Sequence, residues 1–278
     1  MMALDPRLTP ARPDIAASHL RGHVQAARFS DGVAQEVIAG QAPVRSTPGH
    51  HATMVTEALR GERVIVYDVD DEGWAFGQLE ADGYVGFLPA STLLAPGPQP
   101  THRIGALRTF VFPEPSIKAP PVEALPLGST VSVLRMDGAF AVTPTGFIPA
   151  PHCMPLDARE ADPVTVAGRF VGTPYLWGGK SSLGIDCSGL VQVALAACGI
   201  ACPRDSDMQE AAIGAPVSLR DLQRGDLVFW KGHVAIARDR DTIIHANAFH
   251  MTVAIEPLAE AMSRIAAVGS DITSVRRC

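Results

Sequence analysis

Three side chains in the last third of the chain have the types and setting for nucleophilic chemistry. Cys187 lies in "GIDCSGLVQVALAACGI", between an acid and a serine, where a helical pattern begins. A cysteine attacks as its thiolate, which a helix N-terminus and a neighbouring histidine both favour. Asp186 stands where an N-cap is wanted, so the positive end of the helix dipole would point at the sulfur. His233 and His245 follow in "GDLVFWKGHVAIARDRDTIIHANAFH", the first opening one strand-like run and the second inside the next. Side chains alternate along a strand, so these two share a face only if the hairpin closes with an odd loop. A three- or five-residue loop, centred near Asp239, would let His245 orient the His233 ring.

Each residue also has a plainer reading. Most cysteines are core filling, and Cys198 and Cys202, in or just after the apolar helix, fit that role. Cys153 and Cys278 belong to no constellation. A single strand histidine is more often structural than basic, which suits His152 and His250. Trp177 taken alone would be assigned to the core. The combination of a cysteine at a helix start with two histidines in register is what sets Cys187, His233 and His245 apart. The same three could ligate zinc, but "DCSG" and "GHVAI" suit an acid-base pair better than a closed tetrahedral site. No metal and no cofactor is expected.

The elements that must position these residues can be read from pattern. Val164, Ala167, Gly168 and Val171 in "DPVTVAGRFVG" and Leu190, Val193, Ala194 and Ala197 in "CSGLVQVALAAC" recur at helical spacing, and Gly199 sits where a left-handed C-cap belongs. The runs "LVFW", "HVAIAR" and "TIIHANA" are strand-like. Helices followed by antiparallel strands predict an α+β catalytic domain over 158–278.

Upstream, composition changes twice. Short strand-like runs, "RVIVYDV", "WAFGQL" and "YVGFLPA", are separated by "DDEG" and "EADG", which predicts a small β-barrel over 41–97. After a Pro/Gly linker the rhythm returns over 98–157 in "THRIGALRTFVFPEP", "LPLGSTVSVLRMDG" and "AFAVTPTGFIPAPHCMP". There "GFIPA" echoes "GFLPA", so a second barrel is expected. Residues 1–40 read as an N-terminal extension.

Composition bounds the rest. The chain has 278 residues, 47% hydrophobic and 19% charged, enough for a real core and several domains. A net charge of −6 gives no basic field for nucleic acid or an anionic membrane, and neither is expected as a partner. The first residues lack the basic start and apolar core of an export signal, and no window of about 18 apolar residues could span a bilayer. Five cysteines with no CxxC pair suit a reducing compartment, so a cytoplasmic location is expected.

Taken together, "GTPYLWGGKSSLGIDCSGL", "PRDSDMQ", "RGDLVFW", "GHVAIA" and "HANA" resemble the NlpC/P60 family of papain-related cysteine peptidases, over about the last 120 residues. The two upstream units resemble bacterial SH3-like (SH3b) domains, the first through its "GW" and "DGYVGF". The whole chain is similar to the γ-D-glutamyl-L-diamino acid endopeptidase branch, the dipeptidyl-peptidase VI type, which recycles murein peptides in the cytosol. The expected fold is therefore two small SH3-like β-barrels followed by an α+β papain-like domain.

The resemblance implies a cysteine peptidase that hydrolyses the γ-D-glutamyl bond to diaminopimelate or lysine in free murein peptides bearing an N-terminal L-Ala. It implies Cys187 as nucleophile, His233 as general base and His245 as the polar third member. It implies substrate contacts from Asp186, Ser188 and Ser206, an apolar wall from Trp177, and a second oxyanion donor in Tyr175 beside the Cys187 amide. Arg204 could meet a carboxylate by charge, or serve as a helix cap or a surface salt bridge. Tyr84, in "DGYVGF", matches a tyrosine that gates the free amine. Its acidic companion is displaced, with Thr53 near the expected glutamate and Glu57 and Glu62 close by. Two alternatives remain open at this point: an amidase or acyltransferase using the same three residues, and a non-catalytic peptide-binding module.

Overall fold

The computed structural model describes residues 4–278. Two compact units divide the chain between Leu156 and Asp157.

The first unit contains a seven-stranded sheet in the order Met54–Leu59, Gln41–Arg45, Val85–Pro89, Trp74–Leu79, Arg63–Val69, Val33–Val37, Leu93–Leu94. "RVIVYDV" and "WAFGQL" are strands over their full length. The turn between them is set by Asp70, whose Oδ1 accepts from the Glu72 and Trp74 amides at 3.0 and 2.8 Å, and by Gly73 at φ 83°. Val37, Ala42, Val44, Ala58, Val64 and Leu88 fill the interior.

The division at residue 41 is corrected by this sheet. Val33–Val37 pairs antiparallel with the Arg63–Val69 strand and with Leu93–Leu94, so a cut at 41 would remove a strand from the barrel. Farther upstream, Ile15 and Ala17 pack into the aromatic cluster of Tyr67, Trp74, Phe76 and Phe87. The 1–40 segment is thus largely part of this unit. Its polar, proline-rich composition hid the few apolar residues that anchor it.

The second set of strands forms three small sheets: Thr130–Val131, His102–Ile104 and Cys153–Pro155; Arg108–Val111 with Glu123–Pro126; and Arg135–Asp137, Phe140–Thr143 and Gly146–Pro149. Ile104, Val111, Leu125, Val131 and Ile148 make its core. The "GFLPA" and "GFIPA" echo has a structural counterpart. Each run ends a strand, at Pro89 and at Pro149, and leads into one 3-10 turn, Ala90–Thr92 and Ala150–His152.

The second unit is built on a six-stranded antiparallel sheet in the order Ala215–Pro216, Ile272–Arg277, Leu227–Trp230, His233–Ala237, Thr242–Asn247, Thr252–Pro257. Four helices accompany it: α1 Pro163–Gly168, α2 Cys187–Ala197, α3 Ser206–Ala212 and α4 Leu258–Ala266. Leu258 and Ala261 of α4 pack against Val228, Trp230, Ala235, Ala237, Ile243 and Val275. Alternation therefore places His233 and His245, which share parity with Ala235 and Ile243, on the face that α4 covers.

Two of the helical patterns are corrected. α1 ends at Gly168 and buries Val164, Val166, Ala167 and then Phe170, leaving Gly168 and Val171 exposed. In α2 all nine residues from Cys187 to Leu195 are buried, so Leu190, Val193 and Ala194 are not one stripe among exposed neighbours. A helix enclosed on all sides carries little amphipathic signal. Its end is as expected: Gly199 is at φ 80°, the Ile200 amide bonds the Leu195 carbonyl at 3.0 Å and the Gly199 amide bonds the Ala196 carbonyl at 3.0 Å, a Schellman pair.

Candidate active site

Cys187 is the first residue of α2, and the residue before it fastens that end of the helix. Asp186 caps with Oδ1, which accepts from the Gly189 amide at 2.7 Å, while Oδ2 accepts from the Gly178 amide at 2.8 Å. Close approach here needs glycine: a Cβ on Gly189 would stand 2.3 Å from the Gly179 carbonyl oxygen. Arg204 closes the arrangement with a two-pronged contact, Nη1 to Oδ1 at 2.9 Å and Nη2 to Oδ2 at 2.7 Å. Arg204 is 1% exposed, and its Nη1 also donates to the Ser188 hydroxyl at 2.9 Å. The surface salt bridge expected as its plainer role is thereby corrected: Arg204 turns inward and directs its charge at Asp186 in a buried pair. Asp186 and Ser188 join the same buried cluster on either side of Cys187.

Cys187 is 8% exposed. Burial, with the Asp186 charge adding to it, pushes the thiol up to about 12. The amides of Val234 and Ser188 donate toward the sulfur and oppose that shift, as does the Arg204 charge. Val234 follows His233 directly, so the sulfur sits against the start of the histidine strand. Tyr175 is also pushed upward, by burial and then by the charges of Cys187 and Asp186, and so keeps its phenolic proton.

His233 and His245 come together as their parity requires. Ile236 faces Ile244 and Ala237 faces Ile243, which leaves a three-residue loop, 239–241. The loop is odd, but its centre is Arg240 rather than Asp239. The two histidines are consequently diagonal neighbours on one face, with His233 Nε2 2.8 Å from His245 Nδ1. Burial lowers His233 to about 3, helped by His245 and Arg264, and lowers His245 to about 3, helped by Arg264 and His250. Burial thus favours the uncharged form of the thiol and of both imidazoles. Trp230 stacks on His233 with ring centroids 5.7 Å apart.

Behind His245 lie two residues absent from the sequence reading. Glu256 Oε1 is 2.8 Å from His245 Nε2, and Arg264 of α4 pairs with the same oxygen. Register was the available signal. His245 faces Ala254, so the even-numbered residues of the last hairpin strand share its face, and Glu256 is the charged one among them. Ligating atoms of His245, His250 and Glu256 lie within 4.8 Å of one another, but a cation there would compete with the Arg264 guanidinium already on the carboxylate. His250 Nδ1 lies 3.0 Å from Asn247 Oδ1, and His152 Nδ1 lies 2.7 Å from Thr109 Oγ1.

The remaining expected residues fall as follows. Trp177 is 64% exposed in the turn before Gly178, so it is not core. Ser206 opens α3, half-buried. Tyr84 belongs to the first unit, where it is buried just ahead of the Val85–Pro89 strand. In that barrel the buried acid is Glu57, which accepts from Gln41 Nε2 at 3.0 Å.

Residues 172–270 match the model of the NlpC/P60 family, and residues 44–93 match that of the bacterial dipeptidyl-peptidase Sh3 domain. The chain is 28% identical over 248 residues to dipeptidyl-peptidase 6 of Lysinibacillus sphaericus, covering 81% of this chain and 91% of that one. It is 27% identical over 250 residues to gamma-D-glutamyl-L-lysine dipeptidyl-peptidase of Bacillus subtilis (strain 168), covering 80% of each. Its fold is like that of a solved NlpC/P60 family protein from Bacillus cereus ATCC 10987, with a TM-score of 0.75 and 21% identity over 88% of this chain and 99% of that one. The chain thus carries an SH3-type domain of the bacterial dipeptidyl-peptidase kind followed by a catalytic domain of the NlpC/P60 cysteine-peptidase family.

Proposed function

We propose that the protein is a cysteine endopeptidase that hydrolyses the γ-D-glutamyl-L-diamino acid bond of free murein peptides carrying an N-terminal L-Ala. The observation that carries the chemistry is the placement of the Cys187 sulfur, at the start of α2 and beneath the amide that follows His233, with His233 backed by His245 at 2.8 Å. The substrate class is supported by the two relatives similar to four-fifths of the chain, named as dipeptidyl-peptidase 6 and as a gamma-D-glutamyl-L-lysine dipeptidyl-peptidase.

In this reading His233 Nε2 is engaged by His245, and Nδ1 takes the thiol proton as Sγ attacks the γ-carbonyl carbon of D-glutamate. The developing oxyanion is met by the Cys187 amide at the helix start and by the Tyr175 phenol, which holds its proton. Collapse expels the diamino acid nitrogen, which takes the proton from His233. Water, deprotonated by the same ring, then cleaves the thioester and frees L-Ala-D-Glu. Ser206 contacts the polar groups of the peptide and Trp177 flanks it, while Asp186 and Ser188, both engaged by Arg204, hold the start of α2. Action on recycled peptides in the cytoplasm completes the reading, and the five free thiols suit that compartment.

The deciding experiment is mass-resolved cleavage of L-Ala-γ-D-Glu-meso-diaminopimelate and its lysine counterpart, each with and without N-acetylation, using Cys187→Ala as control. Release of L-Ala-D-Glu from the free-amine peptides, lost in the variant, is the expected result. Equal cleavage of acetylated peptide removes the free-amine requirement, and no cleavage of any of the four overturns the substrate assignment.

A further inference from the structure

Glu256 is a carboxylate withdrawn from water, at 7% exposure, in a place where burial needs compensation from specific partners. Its strand runs antiparallel to Thr242–Asn247 with Ile243 opposite Glu256 and Ala254 opposite His245. Glu256 therefore lies one diagonal step from His245, as His245 lies one diagonal step from His233, and the three side chains cross three adjacent strands on one face. The contact to His245 Nε2 is 2.8 Å but oblique, so it has the distance of an ion pair without the alignment of a hydrogen bond. Arg264 holds the carboxylate from the other side and also stacks over Phe249, its guanidinium carbon 4.4 Å from the ring centre.

We propose that Glu256 is a positioning residue for the reaction of Cys187 with His233: by keeping the proton of His245 on Nε2, it keeps the lone pair of His233 on Nδ1.

A carboxylate only accepts, so a neutral His245 beside it places its proton on Nε2 and leaves Nδ1 bare. The 2.8 Å contact between His245 Nδ1 and His233 Nε2 is then satisfied only if His233 donates from Nε2. That leaves Nδ1 of His233 free to accept from the thiol. With the tautomers reversed, His245 would turn a lone pair toward the carboxylate, and His233 Nδ1 would carry a proton and could not act as a base. Charge works in the same direction. Arg264 disfavours protonation of both rings, and Glu256 is the carboxylate beside them that offsets it when the imidazolium forms.

The inference rests on the roles proposed above for Cys187 and His233, and its test separates the two. The full-length protein and its Glu256→Gln, Glu256→Asp and His233→Ala variants are compared in two readouts: imidazole 15N shifts of His233 and His245, and the iodoacetamide alkylation rate of Cys187 followed by peptide mass. In the unmodified protein both rings are expected to be protonated on Nε2, and Nδ1–H on either ring overturns the proposal without any variant. Glu256→Gln is expected to move the His245 proton to Nδ1 and slow Cys187 alkylation by about tenfold or more, with Glu256→Asp restoring part of both. A folded Glu256→Gln protein with unchanged tautomers and alkylation overturns the proposal, provided that His233→Ala does slow alkylation. If His233→Ala leaves the rate unchanged, the His233 role fails and the inference falls with it.

Discussion

His233 Nε2 stands 2.8 Å from His245 Nδ1, a diagonal contact set by a three-residue loop between neighbouring strands. Because that nitrogen is occupied, His245 decides which way the His233 ring is turned. His245→Ala is therefore expected to lower kcat by about 100-fold or more with little change in KM, within the range that a positioned acid-base group contributes. His245→Gln, whose side-chain oxygen can still accept from Nε2–H, should retain a measurable part. Steady-state cleavage assays on the two variants check both statements.

Stability should fall on both sides of neutrality, for opposite reasons. His233 and His245 are lowered to about 3 in the folded chain against an ordinary value of 6.5, so the unfolded chain binds more protons between those limits. The stability they contribute is present above about pH 6.5 and is lost as the pH falls toward 3. Cys187 is raised to about 12 from 9.0, so its contribution is present below about pH 9 and is lost as the pH rises toward 12. Urea unfolding from pH 4 to 10 should show a maximum between about pH 7 and 9. His245→Gln should reduce the acid limb, His233 keeping a part of it, and Cys187→Ala the alkaline one, where Cys153, raised to about 11 by burial, keeps a part.

Removing one partner of the Asp186–Arg204 pair strands a buried charge. Arg204→Met is expected to cost about 3–5 kcal/mol in urea unfolding, far more than any exposed ion pair in the chain. Arg224→Met, which breaks the half-exposed contact to Asp162, serves as the comparison and should cost about 1 kcal/mol or less. Equal effects of the two substitutions would contradict the burial argument.

Gly189→Ala tests the seat of Cys187. A methyl there meets the Gly179 carbonyl, a backbone atom that cannot swing aside, so the start of α2 must shift. The expected loss is about 1–3 kcal/mol, together with slower alkylation of Cys187. Unchanged stability and alkylation would mean that the Gly178–Gly179 turn yields without moving the cap.

Local chemistry was legible wherever neighbours in the chain act on each other. Asp186 as N-cap and Gly199 as C-cap follow from the demands of two helix ends. The strands "RVIVYDV" and "WAFGQL" follow from alternation and an Asx turn. The odd loop of the histidine hairpin follows from parity alone, although its centre lies one residue away. Pattern failed where an element is enclosed on all sides or anchored by few residues. The helix carrying Cys187 is buried through Leu195 and has no stripe to read, while Ile15, Ala17 and the strand Val33–Val37 sit in a proline-rich stretch that reads as an extension.

The sequence by itself determined the place of Cys187 at a helix start, its cap and the shared face of two histidines, because each depends on spacing within one element or one hairpin. Only the tertiary structure decided that Arg204 turns inward onto Asp186, that Val234 aims its amide at the sulfur, and that Glu256 and Arg264 stand behind His245. These relationships join separate elements, and strand register and helix docking, which no single stretch of sequence encodes, bring them within a few ångströms.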